Sequence, residues 1–314
     1  METIIATNHL SKRYKNLWAV NDVSFEVNKG ELLAVLGKNG AGKSTTLLML
    51  LGLVKPTLGN ILILNKQPQE RAVKEKIGVM LQEVSVIDAL SVKEVLLMFS
   101  SYYENPLRLE EVLEITGIPI EMLKKRAYKL SGGQKRRLNF ALAILSNPQI
   151  VFLDEPTVGM DSTVRKKFWQ AIQFLNDEGK TVIFTTHYLQ EADDVAKRIM
   201  LFNQGKVIAD GSPLQLKSHL SDGAISFTSD QVDINLLQTF SHVISAKITN
   251  QRIVLTTTST DALLGELFEK KVVMRDIHLH RARLEDAFES LTVEGGSVNE
   301  SLVDANESRS ITDI

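Results

Sequence analysis

A loop of eight residues, Gly37-Lys38-Asn39-Gly40-Ala41-Gly42-Lys43-Ser44, leaves this chain few folds to choose from. Its spacing is G-x-x-x-x-G-K-[ST], a pattern that carries meaning when a buried strand leads in and a helix leads out. Both flanks fit: Leu32-Leu33-Ala34-Val35-Leu36 reads as a strand, and residues 44–53 read as the helix that follows. Glycines let successive backbone N–H groups turn inward around one point, the helix N-terminus adds partial positive charge, and Lys43 adds a full one. Together they form an anion cradle suited to the phosphate tail of a nucleotide.

The residues that would complete such a site fall at predicted strand ends. The apolar runs Gln149-Ile150-Val151-Phe152-Leu153 and Thr181-Val182-Ile183-Phe184-Thr185 read as strands covered on both faces. Asp154-Glu155 and His187 follow them, and Gln82 follows the strand predicted over residues 76–81, all at the edge where open α/β sheets bind ligands. Ser44 and Asp154 suit Mg²⁺, being a hydroxyl and a carboxylate. Glu155 reads either as a carboxylate capping the turn at Pro156 or as a general base acting on water, and its company favours the base. Gln82 and His187 carry weight only through their positions.

Ser131-Gly132-Gly133-Gln134 opens a second helix, with Ser131 as N-cap and two glycines leaving backbone N–H groups open to an anion. An ordinary capped helix start would look similar. Lys135-Arg136-Arg137 in the first turn oppose the helix dipole, which argues for an anion nearby and so for a second phosphate site. Tyr14 and Trp18 precede the phosphate loop. Either can be packing, but an aromatic face here can stack on adenine, and Tyr14 is the preferred candidate.

A length of 314 residues with 44% hydrophobic content favours about two domains. Lys+Arg 36 against Asp+Glu 38 leaves a net charge of −2, which is not the basic footprint of a nucleic-acid binder. The absence of cysteine excludes disulfides, thiol catalysis and thiolate metal sites. No basic-then-apolar leader is visible at Met1-Glu2-Thr3, and no run of about 18 apolar residues would span a bilayer. The organisation expected is a nucleotide-binding domain over residues 1–211, a linker over 212–222, a small α+β domain of ferredoxin-like type over 223–292, and a disordered tail over 293–314. The opening segment is expected to be β-rich, with a hairpin-like Val23-Ser24-Phe25-Glu26-Val27 ahead of Asn28-Lys29-Gly30.

On these residues the chain resembles the ATPase subunits of ABC transporters over residues 3 to about 215, with Leu130-Ser131-Gly132-Gly133-Gln134 matching the family's signature motif. The resemblance implies a P-loop NTPase fold of ABC ATPase type: a RecA-like core, an antiparallel β subdomain and a helical signature subdomain, here with the small C-terminal α+β domain. It implies ATP and Mg²⁺ as ligands. Tyr14 matches the adenine-stacking aromatic, and Gly37, Asn39, Gly40, Gly42, Lys43, Ser44 and Thr45 belong to the Walker A loop. Gln82 matches the glutamine that meets Mg²⁺ and the attacking water, Asp154 the metal ligand, Glu155 the catalytic base, Asp161 the D-loop, and His187 the histidine contacting the γ-phosphate. Val158 departs from the small polar residue often found at the start of the Val158-Gly159-Met160-Asp161 stretch.

The single ATPase unit, the run through Lys135-Arg136-Arg137-Leu138, and Arg281-Ala282-Arg283-Leu284-Glu285-Asp286-Ala287-Phe288 resemble the drug and antibiotic exporter branch. That resemblance implies a homodimer sandwiching two ATP molecules, each between one chain's phosphate loop and the other's Ser131-Gly132-Gly133-Gln134. It also implies a separate membrane permease, a place at the cytoplasmic face through that permease, and no nucleic-acid partner. Permease contact is expected near residues 82–93, where Val84, Val86, Ile87 and Leu90 offer an apolar surface. The competing reading, a soluble ABC ATPase acting on ribosomes or DNA, lacks its usual basic linker or coiled coil here. A metabolic kinase would leave the Ser131 helix unexplained.

Overall fold

Strict alternation of burial along Val23-Ser24-Phe25-Glu26-Val27 marks one strand of a hairpin, and its partner lies upstream. The computed structural model describes residues 2–82, 87, 89–218, 223–229, 234–249 and 251–281, and divides the chain into one unit ending at Asp210 and another beginning at Gly211. β1 (Thr3–Tyr14) and β2 (Leu17–Asn28) are antiparallel and joined by a two-residue turn at Lys15-Asn16. The hairpin therefore closes at Lys15, whose φ of 51° is left-handed, and not at Asn28-Lys29-Gly30. The latter turn hands the chain to a different sheet, held by Glu31 N–H to the Asn28 carbonyl at 3.2 Å.

That second sheet begins with β3 (Leu32–Gly37), all six residues buried, which runs through the loop into α1 (Lys43–Leu50). β4 (Leu58–Ile63) returns to pair with β1, giving a three-stranded sheet in the order β2-β1-β4. After α2 (Arg71–Lys74) and β5 (Ile77–Met80) come the helices α3 (Val92–Ser100), α4 (Leu109–Thr116) and α5 (Gly132–Ile144). These three gather around their own core of Val92, Val95, Leu96, Val112, Leu138 and Ala141. Ser91 and Glu94 close a capping box at the start of α3, which fixes where the helical segment begins.

β6 (Ile150–Asp154), α6 (Ser162–Asp177), β7 (Thr181–Thr186), α7 (Leu189–Val195), β8 (Arg198–Asn203) and β9 (Lys206–Gly211) complete the main sheet in the order β5-β6-β7-β3-β8-β9. Pairings from β5 through β8 are parallel. Their register puts Leu36 opposite Thr186 and Asp154 opposite Thr185, so the C-terminal ends of β3, β6 and β7 share one edge. α5 lies against β5 so closely that a Cβ on Gly78 would fall 1.9 Å from the Ala143 carbonyl oxygen. Only glycine permits that approach.

The unit from Gly211 onward opens with α8 (Pro213–Ser218), inside the stretch expected as a linker. The helix forms because Ser212 caps it, accepting from Gln215 N–H at 3.2 Å, and Pro213 occupies the first position. Then follow β10 (Gly223–Thr228), α9 (Ile234–Leu237), β11 (Val243–Thr249), β12 (Arg252–Thr257), α10 (Thr260–Glu269) and β13 (Arg275–Arg281). The sheet order is β11-β12-β10-β13 with every pairing antiparallel, the arrangement of a split βαβ unit. Ile225, Phe227, Leu237, Leu255, Leu263 and Leu267 form its core. Most of the 281–288 stretch and the 293–314 tail lie outside the described residues.

Candidate phosphate and hydrolysis site

α1 begins without any side-chain cap: its N-cap is Gly42 and its first turn contains no acid. The N–H groups of that turn are thus left for an external anion. Lys43 is buried and folds back on the loop, its Nζ donating to the carbonyls of Gly37 at 2.7 Å and Lys38 at 3.2 Å. Burial pushes its pKa below the usual lysine value, while the carboxylates of Glu155 and Asp154 oppose that shift. The loop is packed against two backbones, for a Cβ on Gly42 would sit 2.4 Å from the Ala19 carbonyl oxygen of β2. Beside Ala19, Gly205 N–H, in the turn between β8 and β9, donates to the Ala41 carbonyl at 3.0 Å.

Gly42→Ala should therefore do double damage, since the backbone there has φ 106° and the methyl group meets a carbonyl. We expect a loss of about 1–3 kcal/mol in thermal or denaturant unfolding, with weakened nucleotide binding in the fraction that folds. Unchanged stability together with unchanged binding would contradict this geometry.

Asp154 and Glu155 sit where the shared register places them. Asp154 Oδ1 accepts from Ser44 Oγ at 3.3 Å and from the Thr185 hydroxyl. Among the described residues no group of three His, Cys, Asp or Glu side chains is arranged to hold a metal. The donors present nevertheless suit Mg²⁺, which takes hard oxygen ligands and is commonly held by one or two carboxylates with substrate phosphates and water. Glu155 is 7% exposed and adopts a left-handed φ of 50°. Its N–H donates to Thr185 Oγ1 at 3.0 Å and its Oε2 lies 2.5 Å from His187 Nδ1. An ionised carboxylate only accepts, so that contact puts the imidazole proton on Nδ1. The structure thus brings Lys43, Ser44, Asp154, Glu155 and His187 to one sheet edge.

The other candidates lie around this centre. Ser131 caps α5, accepting from Gln134 N–H at 3.3 Å while Gln134 Oε1 accepts from Ser131 N–H at 3.2 Å. Gly132 and Gly133 have open space where a side chain would be. Asp161 caps α6, accepting from Val164 N–H at 2.9 Å, and Gln82 is exposed beyond β5. Tyr14, at the hairpin tip, is 45% exposed with Lys12 Nζ 5.2 Å from its ring, and Trp18 carries Arg13 at 5.5 Å.

Two of the cations that follow the Ser131 cap have partners of their own, contrary to the expectation that they mark an anion site. Arg136 donates to the carbonyls of Glu155 and Pro156, and Arg137 to that of Gly117 at the end of α4. Two of the three cations in the first turns of α5 are therefore engaged by backbone oxygen, and their presence alone does not call for an anion. Sequence reasoning also passed over Thr185, which joins Asp154 to the Glu155 backbone, and Glu191, a buried carboxylate accepting from Thr157 and Thr186. Paired threonines at the end of an apolar strand were the available signal for both.

The family model described as ABC transporter matches residues 20–158. A linearmycin resistance ATP-binding protein of Bacillus subtilis (strain 168) is 36% identical over 231 residues, 71% of this chain and 73% of its own length. A Nod factor export ATP-binding protein I of Burkholderia orbicola (strain AU 1054) is 37% identical over 211 residues, covering 65% and 69%. Among solved structures, a dimeric ATP-binding cassette in a post-hydrolysis state with ADP and Pi aligns with a TM-score of 0.61 at 28% identity, over 67% of this chain and 98% of the cassette. A Clostridium perfringens protein that is part of an ABC transporter complex aligns with a TM-score of 0.60 at 28% identity, covering 69% and 91%.

Proposed function

Because the chain belongs to the ABC transporter ATP-binding family, we propose that it hydrolyses ATP as the motor subunit of an exporter whose permease is a separate chain. The observation that carries this reading is the meeting of Ser44, Asp154 and Thr185 at one carboxylate oxygen, with Glu155 one residue further at the mouth of the phosphate loop. Lys43 and the first-turn N–H groups of α1 bind the β- and γ-phosphates, and Tyr14 stacks on the adenine. Ser44 and Asp154, with Gln82 nearby, hold Mg²⁺, which when bound neutralises charge on the phosphate oxygens. Glu155 takes a proton from the attacking water as its oxygen bonds to the γ-phosphorus and the bond to the ADP oxygen breaks. His187 orients Glu155 and reaches toward the γ-phosphate.

A second copy completes each site, its Ser131-Gly132-Gly133-Gln134 closing on the γ-phosphate and its Asp161 lying at the join. Support comes from the open helix start of α5 and from similar cassettes solved as dimers. Relatives named for linearmycin resistance and Nod factor export support an exported drug, antibiotic, antimicrobial peptide or lipid/polysaccharide-type compound. Among the described residues no helix is long and apolar enough to cross a membrane, so in this reading the chain reaches the cytoplasmic face through its partner.

For the permease, Val84 and Val86 lie outside the described residues, while Ile87 is exposed and Leu90 half-buried. Beside β5, which leads to Gln82, lies an apolar cleft of about 470 Å³ lined by Leu53, Val79, Phe99, Tyr103, Asn139 and Leu142. The Asn139 Oδ1 beside it is buried without a hydrogen-bond partner among the described residues. The purified chain should release phosphate from ATP in Mg²⁺ and fail to do so in excess EDTA. A folded chain that binds ATP but releases none with Mg²⁺ would contradict the motor reading.

A further inference from the structure

We infer that Arg136 is a positioning residue: from the helix α5 it holds the backbone of Glu155, so that the segment meant to grip one nucleotide sets the proton acceptor for another. The inference rests on Glu155 being the base, as proposed above. Glu155 is a non-glycine residue at φ 50°, a conformation that persists only where neighbours fix it from several sides. On its amino side the N–H donates to Thr185 Oγ1 at 3.0 Å and to the Thr185 carbonyl at 3.2 Å. On its carboxyl side the Glu155 carbonyl accepts from Arg136 Nη1 at 3.0 Å, and the same nitrogen reaches the Pro156 carbonyl at 3.3 Å. The side chain is fixed in turn by His187. Outside the sheet the Glu155 carbonyl also accepts from Val158 N–H at 3.4 Å, within the same turn, so Arg136 supplies the side-chain restraint on Glu155 and Pro156 that comes from a separate element.

Arg136 is part-buried, and burial pushes its pKa down against the opposing pull of Glu155. Both of these bonds go to backbone carbonyls, so the guanidinium acts on main-chain position. α5 meets β5 toward its C-terminal end, where the Ala143 carbonyl approaches Gly78, and meets the Glu155-Pro156 backbone five residues after its cap. Its free end carries Ser131, Gly132 and Gly133. A displacement of that end when it engages phosphate therefore acts through Arg136 on the Glu155 carbonyl. Sequence separation hides this contact, since Arg136 lies on the helix that contributes Leu138 to one core while Glu155 follows the strand that contributes Phe152 to another.

The test uses the full chain as Arg136→Met, which keeps the apolar stem, and Arg136→Lys, which offers a single ammonium in place of the planar fork. For Arg136→Met we expect kcat to fall at least about tenfold with KM for ATP within about twofold of wild type, because a misplaced base costs rate without costing phosphate binding. Its ATP-bound dimer should persist in gel filtration with Mg²⁺, and Arg136→Lys should recover part of the rate. A folded Arg136→Met with wild-type kcat overturns the inference. So does a fall in kcat accompanied by loss of both ATP binding and the dimer, the pattern of general damage. Glu155→Gln run in parallel separates the causes: if it too turns over normally, the base assignment falls and the inference with it, whereas normal turnover in Arg136→Met alone leaves the base assignment standing.

Discussion

Glu155→Gln should retain nucleotide binding and lose about 10²–10⁴ in turnover, the range for removal of a positioned proton acceptor. The substitution is nearly isosteric, which matters at a side chain only 7% exposed. An amide oxygen can still accept from His187 Nδ1, now 2.5 Å from Oε2, so the local arrangement survives while the capacity to take a proton from water does not. The Thr185 and Arg136 restraints act on the Glu155 backbone and are untouched by the change. ATP that is bound and not cleaved should hold two chains together. Gel filtration of this variant with ATP and Mg²⁺ should show a larger dimer peak than wild type, and wild-type turnover would remove Glu155 from the role of base.

Loss of function in this variant would come with an electrostatic change at Lys43, whose ammonium is stabilised against burial first by Glu155 and then by Asp154. Taking away the Glu155 charge removes the larger of those two supports. Lys43 keeps its two carbonyl acceptors, Gly37 and Lys38, so its position should hold.

The parts of this site legible in the sequence are those encoded in one continuous stretch, Leu32 to Leu50. β3, the glycine loop and α1 follow from one apolar run, a spacing of glycines and a lysine, because strand, turn and helix start are all local. Asp154-Glu155 and His187 were placed at strand ends by the same logic. The order β5-β6-β7-β3-β8-β9 lies beyond local patterns, since it depends on crossovers between distant runs of similar composition. The destinations of Arg136 and Arg137 are illegible in the sequence for a related reason. A helix-dipole argument sees only their own helix, whereas the carbonyls that engage them lie 19 and 20 residues away. The β1–β2 turn was missed because Lys15-Asn16 lacks the glycine that usually marks a two-residue hairpin, and Lys15 adopts the left-handed φ itself.

Sharing of each active site between two chains is tested most directly by mixing Lys43→Ala with Gly132→Asp. Each homodimer should be nearly inactive, by about 10²–10³, because every site lacks either its phosphate lysine or a neutral helix start at the γ-phosphate. Gly132→Asp should fold, for nothing lies within 4 Å of the new Cβ, and an acid in the first turn of α5 suits the helix dipole. In a heterodimer both defects fall on one site and the other is intact. Random exchange between twofold dimers makes about half of them heterodimers, so mixing should restore about one quarter of wild-type activity. If cross-linking demonstrates heterodimers while both steady-state and single-turnover ATPase activity stay at the homodimer level, the two-chain site is contradicted; single-turnover cleavage at the intact site without steady-state recovery would keep the shared site and end the independence of the two sites.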